Sequence, residues 1–327
     1  MKNILNFRLI GILAILILAL VGCGNTEDAS ADNDTSTDKA ADEEASENET
    51  QTITYLGEDY IVPKVVDDIA TASLESMEDA AILGIKPMAS ITVGGELPEY
   101  LADELAGAED IGDKQQPSHE TLLELKPDVI MGSSKFQPEV AENLEKVAPM
   151  FPVSHISTDW EENLNLMAKL TGKEAKAEEI ITTYKDDVAT IKEEIASNVE
   201  NKKIVIVRIR TGNIFVYSAD TYFNPVLYQD LGIAIPDEIE AVKAQEMITL
   251  ENLAKLNPDY LFVQFDESEN ADNPKALEDL QSNPIFQSIQ AAKDELVFVN
   301  SVDPMAQGGT AWSKTTFLET VKELLVK

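Results

Sequence analysis

The chain has 327 residues, with 60 acidic side chains against 25 basic ones and a formal charge of −35. Such a length supplies two hydrophobic cores, and so acidic a surface excludes a nucleic-acid binder, which needs a basic footprint. A single cysteine and two histidines exclude a disulfide framework and a histidine-built site for a bare metal ion.

Lys2 and Arg8 precede an apolar run, Leu9 to Leu20, that closes on Val21-Gly22-Cys23. This is the layout of an export signal, too short to span a bilayer. Its end resembles a bacterial lipobox, which implies a signal peptide over 1–22 and lipidation of Cys23. Several acyl chains, at ~0.8 kcal/mol per buried CH₂, would then hold the mature protein to the membrane surface. Between Gly24 and Gln51 stand ten acids and the single Lys39, with almost nothing apolar. Such a segment cannot bury enough surface to fold, so 23–51 is predicted to be the lipidated cysteine and a disordered acidic tether.

Residues 52–160 read as an N-terminal α/β lobe. Ile53 to Val62 suggests a hairpin around Gly57-Glu58-Asp59. Val65–Ala70 reads as the first parallel-type strand, Ser76–Leu83 as a helix ending before Gly84, and Ala89–Val93 as the next strand. Val140–Val147 is predicted helical and Pro152–Ile156 extended. From 161 to 199 the pattern is helical almost throughout, interrupted only by Gly172, and predicts a long, rigid connecting helix. The C-terminal lobe, 200–327, opens on the β-branched strand Lys203–Val207. It continues through a helix at Phe223–Leu231, a strand at Leu296–Val299 and a closing helix from Trp312 to Leu325. The fold class is α/β: two parallel-sheet lobes joined by a helix, with a ligand cleft between them.

One segment occurs twice. Glu120-Thr-Leu-Leu-Glu-Leu-Lys-Pro127-Asp128-Val-Ile-Met131 recurs as Glu251-Asn-Leu-Ala-Lys-Leu-Asn-Pro258-Asp259-Tyr-Leu-Phe262. Each copy predicts a short helix, a Pro-Asp turn and a buried strand. A single repeat at this distance predicts two similar lobes, and clefts between domains are where small ligands bind.

The chain has three arginines, and one lies in the signal; the other two are Arg208 and Arg210. A spacing of two at a strand end puts both guanidinia on one face. Surface salt bridges with the abundant acids are the plainer explanation, but lysine supplies every other cation of the mature chain, which favours a ligand role for the pair. On the first lobe, Lys135 and Lys114 follow positions where strands should end at the crevice. Gln137, Tyr217, Tyr222 and Trp312 are candidates for added hydrogen bonds or an apolar wall, although each aromatic alone also suits a core.

Together, the lipobox, acidic tether, two lobes, mid-chain helix and duplicated Glu-x-x-x-x-Leu-x-Pro-Asp phrase resemble a class III solute-binding lipoprotein of ABC importers. The resemblance covers residues 53–327. It implies a receptor for a ferric siderophore, with cobalamin or haem as alternatives. It also implies docking of Glu120 and Glu251 into arginine pockets on a permease pair powered by ATPase subunits, although an acid in a first helical turn is favoured by itself. Iron would travel inside the siderophore, so the protein needs no metal ligand or cofactor of its own. Arginine's fork suits carboxylates, which ranks citrate-hydroxamate siderophores first and catecholates next. No Walker loop, nucleophile elbow or supported Ser/His/Asp set is present, which argues against an enzyme. The expected setting is the outer face of a bacterial cell membrane, as a lipid-anchored monomer. A surface lipoprotein without a transport role is the reading from another class; it would require neither the duplicated glutamate nor the arginine pair.

Overall fold

The computed structural model describes residues 49–326, which belong to one compact unit. The predicted signal, Cys23 and nearly all of the predicted tether lie outside them. The tether's predicted end at 51 is too late, because β1 (Thr50–Tyr55) already pairs with β2 (Glu58–Pro63). Leu56 and Gly57 turn this hairpin with φ of +48° and +89°, a twist that matches right-handed strands. The Tyr55 hydroxyl fastens it to the lobe, donating to Asn163 Oδ1 and accepting from the Ser154 amide.

The N-terminal lobe then runs β3 (Ile69–Thr71), α1 (Leu74–Leu83), β4 (Ala89–Thr92), β5 (Glu109–Asp113) and β6 (Gln116–Pro117). It continues with α2 (His119–Leu125), β7 (Val129–Ser133), α3 (Pro138–Glu145) and β8 (Met150–Val153). The sheet order is β6-β5-β4-β3-β7-β8, parallel except for the β5–β6 edge. The first parallel strand starts at Ile69, four residues later than predicted. Val65 is exposed, and the Asp67 and Asp68 amides donate to the Asp128 carboxylate instead of to a ladder.

The predicted single helix over 161–199 is two helices, α4 (Trp160–Thr171) and α5 (Glu174–Val199). Gly172 stops the first with φ +65° and returns its amide to the Ala168 carbonyl, the left-handed cap that glycine adopts without a Cβ penalty.

The C-terminal lobe comprises β9 (Ile204–Arg210), β10 (Asn213–Tyr217), α6 (Asp237–Glu240), β11 (Gln245–Ile248), α7 (Leu250–Leu256) and β12 (Tyr260–Phe265). After these come α8 (Ala276–Ser282), α9 (Pro284–Gln287), α10 (Gln290–Lys293), β13 (Val297–Val299) and α11 (Ala311–Leu325). The predicted helix at 223–231 is only a π-helical turn, Val226–Asp230. Strand order is β11-β10-β9-β12-β13. β9, β12 and β13 are parallel, whereas β10 and β11 form an antiparallel edge, so this sheet is mixed rather than parallel. The antiparallel edge begins at Thr211-Gly212, both with positive φ, which folds the chain back directly after Arg210.

The repeat occupies equivalent places. α2 and α7 are capped by Ser118 and Thr249, whose hydroxyls accept from the amides of Thr121 and Asn252. Both helices end on a left-handed residue, Lys126 or Asn257. Asp128 then accepts the amides of Asp67 and Asp68, and Asp259 that of Lys203. In each lobe the repeated aspartate therefore ties the helix exit to the chain entering the central strand. The repeated glutamates, Glu120 and Glu251, make no comparable tie and are exposed.

The lobes meet through α11, which packs on α1 and α5. Lys314, almost wholly buried, pairs with Asp230 at 2.7 Å and faces the Trp160 and Tyr184 rings. Glu78 of α1 is fully buried and accepts from the Ser313 and Thr310 hydroxyls, the Tyr100 hydroxyl and the Gln307 amide.

Candidate binding cleft

Strands fan outward in both directions from the β3–β7 junction, and loops leaving the carboxyl ends on either side of such a switch point open a crevice. Ser73 and Glu75 follow β3, Ser133 ends β7, and Lys135 and Gln137 follow it. Across from them, β9 delivers Arg208 and Arg210, and the loop after β12 delivers Glu269. These residues line one cleft of ≈ 790 Å³, joined by Lys114, His155, Tyr217, Tyr222, Lys243 and Gln307.

The alternation of β9 does put both guanidinia on one side, where each meets Glu269. Arg208 approaches Oε2 through Nε and Nη2, both at 2.9 Å, and Arg210 Nε lies 3.4 Å away. Their environments differ: the Arg208 side chain is 8% exposed and that of Arg210 39%. Burial opposes the Arg208 charge, but Tyr222, Glu269 and Tyr217 outweigh it and raise its pKa. The guanidinium also sits over the Tyr222 ring, 5.5 Å from the centroid. Tyr222 itself has φ +60°, a conformation that costs a bulky residue energy and persists only where the surroundings impose it. Here the Ser157 hydroxyl holds its carbonyl, and its ring packs on Tyr217. Burial raises the pKa of both phenols, so they remain neutral donors.

The lysines are graded too. Lys135 Nζ bonds Glu75 at 2.7 Å but keeps half its side chain exposed. Lys114 is held only loosely, 3.9 Å from Glu269. Burial, aided by the charges of Arg208 and Arg210, lowers its pKa against the pull of Glu269. Burial also lowers His155, with Lys135 adding to the effect, so this ring is neutral at pH 7. Its Nδ1 shares a hydrogen with the Ser134 hydroxyl at 2.9 Å.

The cleft thus gathers Arg208, Arg210, Lys135, Lys114, Gln137, Tyr217 and Tyr222. Trp312 stands apart: it is half-buried on α11 against Tyr100, with centroids 4.9 Å apart, and lines no part of the cleft. Sequence reasoning misses Lys243, Glu75 and Glu269. Glu269 follows the second repeat strand much as Lys135 follows the first, but Asp266 and Glu267 stand in the same loop, so position alone does not single it out. A second groove of ≈ 490 Å³ lies on the C-terminal lobe, where Lys275 stands with Asp272 and Asp279. It has no convergent cations. Among the described residues, no group of three or more His, Cys, Asp or Glu could hold a metal ion, and no helix is long and apolar enough to cross a membrane.

Residues 69–300 match the family model described as periplasmic binding protein. The chain belongs to this family. Its two-lobed α/β fold is that of the class III solute-binding proteins. The iron-uptake system-binding protein of Bacillus subtilis (strain 168) is 45% identical over 318 residues, covering 96% of this chain and 98% of that relative. The crystal structure of the triscatecholate siderophore binding protein FeuA from Bacillus subtilis, complexed with ferri-bacillibactin, superposes with a TM-score of 0.81. It is 47% identical, over 84% of this chain and 98% of that one. A probable siderophore-binding lipoprotein of the same organism, YfiY, is 25% identical over 304 residues, 90% of this chain and 89% of its own length.

Proposed function

We propose that this protein captures a ferric triscatecholate siderophore at the outer face of the cell membrane and delivers it to an ABC permease for iron uptake. The observation that carries this reading is the charge of the cleft. Five cations line it, Lys114, Lys135, Lys243, Arg208 and Arg210, against three acids, Glu75, Asp220 and Glu269, on a chain whose total charge is −35. Such a local reversal of sign suits an anion and no other partner. A ferric tris-catecholate is a trianion, because three catecholate dianions outweigh one Fe(III). A ferric tris-hydroxamate is neutral and would offer no counter-charge to the cleft's excess of cations over acids. The ligand's oxygens complete the iron's coordination, so the protein supplies charge and shape but no metal ligand.

The arginine fork alone ranks citrate-hydroxamate complexes first. The cation count, and the triscatecholate bound by the relative of 47% identity, move the preference to catecholates. Guanidinia and ammonium groups set against protein in a cleft act at a lower effective dielectric than in bulk water, most of all the buried Arg208, which strengthens each contact. Glu120 and Glu251, exposed on matching helices of the two lobes, serve in this reading as paired acidic knobs for two permease subunits. Cys23 provides the lipid anchor. A fluorescence titration of the chain from residue 46 onward, with ferric tris-catecholate, tris-hydroxamate and citrate complexes, tests the ligand. Tight binding of the catecholate complex is expected. Tighter binding of a neutral hydroxamate complex would reject the assignment.

A further inference from the structure

The cations of the cleft are not waiting bare. Glu269 occupies the space between both guanidinia, its Oε2 meeting Arg208 and Arg210 and its Oε1 lying nearest to Lys114 of the opposite lobe. The Glu269 side chain is only 10% exposed, so this is a desolvated charge cluster. Its backbone is pinned: its amide donates to Asp266 Oδ1 and its carbonyl accepts from Thr211. Asn270, fully buried, stitches the same loop to the arginine-bearing hairpin by donating to the Ile209 carbonyl and accepting from the Gly212 amide. The carboxylate is therefore built into the same rigid corner as the arginines, and only its side chain is free to change place.

A carboxylate among guanidinia has the chemistry of the catecholate oxygens that would bind there. We propose that Glu269 is a built-in competitor: it neutralises Arg208 and Arg210 in the empty protein and must yield them to the anionic ligand. The inference rests on the siderophore reading above. Its consequence is a receptor whose affinity is held below what its cations alone would give. The same carboxylate is ready to reclaim the arginines as the ligand leaves, which favours release to the permease.

The sign of the effect follows from both end states. Without the Glu269 charge, two guanidinia face each other unneutralised in the empty protein, which raises its free energy. In the complex, the trianion no longer lies beside an extra negative charge. Both changes tighten binding. If Glu269 instead only positioned the guanidinia, its loss would loosen binding.

The test compares wild type, Glu269→Gln and Glu269→Asp by fluorescence titration and stopped-flow dissociation, with ferri-bacillibactin as trianion and a ferric tris-hydroxamate as neutral control. E269Q is expected to bind ferri-bacillibactin about tenfold more tightly, mainly through slower dissociation. E269D, which keeps the charge at a shorter reach, should fall between; it also stands in if E269Q does not fold. The neutral complex should change by less than about twofold. Weaker or unchanged ferri-bacillibactin binding by the variants overturns the competitor. Failure of wild type to bind any ferric complex overturns the siderophore reading itself.

Discussion

Glu78 offers the sharpest test of how the lobes are held together. Its carboxylate lies in α1 of one lobe and takes hydrogen bonds from Gln307, Thr310 and Ser313 at the start of α11, and from Tyr100. Burial pushes its pKa up to about 7, although those four bonds act the other way. Asp79 beside it is raised as well, by its own burial and then by the Glu78 charge. The folded protein thus holds a proton on Glu78 that the unfolded chain has released. The stability this contributes is fully present below the unfolded value of 4.5 and is lost as the pH rises through the folded one. Two and a half pH units correspond to about 3 kcal/mol. In Glu78→Gln no proton is bound or released there. Thr310 and Ser313 can turn their hydroxyls to accept from the new amide nitrogen, while the Gln307 and Tyr100 donors keep the oxygen. Urea unfolding of both proteins from about pH 4.5 to 8 should show the variant gaining about 3 kcal/mol on wild type across that range. Charge repulsion common to both proteins cancels in the difference. A difference that stays flat, or that favours wild type as the pH rises, would refute the reasoning and leave Glu78 as a carboxylate ionised throughout.

The other predictions concern ligand and permease. Arg208→Ala should reduce ferric catecholate affinity by about a hundredfold or more, because it removes a buried guanidinium and leaves Glu269 only its longer contacts to Arg210 and Lys114; Lys135→Ala, half-exposed and paired only to Glu75, should cost about tenfold. Quenching titrations rank the two, and the reverse order would contradict the burial argument. Glu120→Ala with Glu251→Ala should leave ligand affinity unchanged while abolishing siderophore-dependent iron uptake by cells; retained uptake would remove both residues from docking. Gly308→Ala would place a Cβ 2.5 Å from the Tyr222 carbonyl carbon at a φ of +75°. It should lower stability by about 1–3 kcal/mol and loosen ligand binding, since Tyr222 carries the Arg208 contact. Thermal melts and titrations read the two effects separately.

The sequence shows most of the frame because its signals are local or repeated. The duplicated segment predicts two lobes, and the spacing of Arg208 and Arg210 predicts a shared face. Pattern fails where tertiary bonds override it. Val65 to Asp68 reads as a strand, yet the Asp128 carboxylate takes the amides that a strand would need. Residues 161–199 read as one helix, yet Gly172 adopts the left-handed turn that ends it. Residues 223–231 retain only a π-helical turn, and the antiparallel edge of β10 and β11 announces itself only through Thr211-Gly212.

The cleft is half legible for a reason of contrast. Arginine is so scarce here that a pair at one strand end stands out, and lysines after predicted strands can be found by position. Acids have no such contrast in a chain with 60 of them. Glu269 sits in the run Asp266-Glu-Ser-Glu269 that looks like solvated surface, and Glu75 in what looks like an ordinary first helical turn. Only the fold shows that each is buried against a cation, Glu75 on Lys135 and Glu269 on both arginines. The same contrast separates the two halves of the repeat. Asp128 and Asp259 recur because both lobes must anchor the chain entering a central strand, which is a structural need. Glu120 and Glu251 recur at exposed sites in the first turns of α2 and α7, where a helix N-terminus favours an acid by itself, so only the paired substitution above separates that local preference from docking.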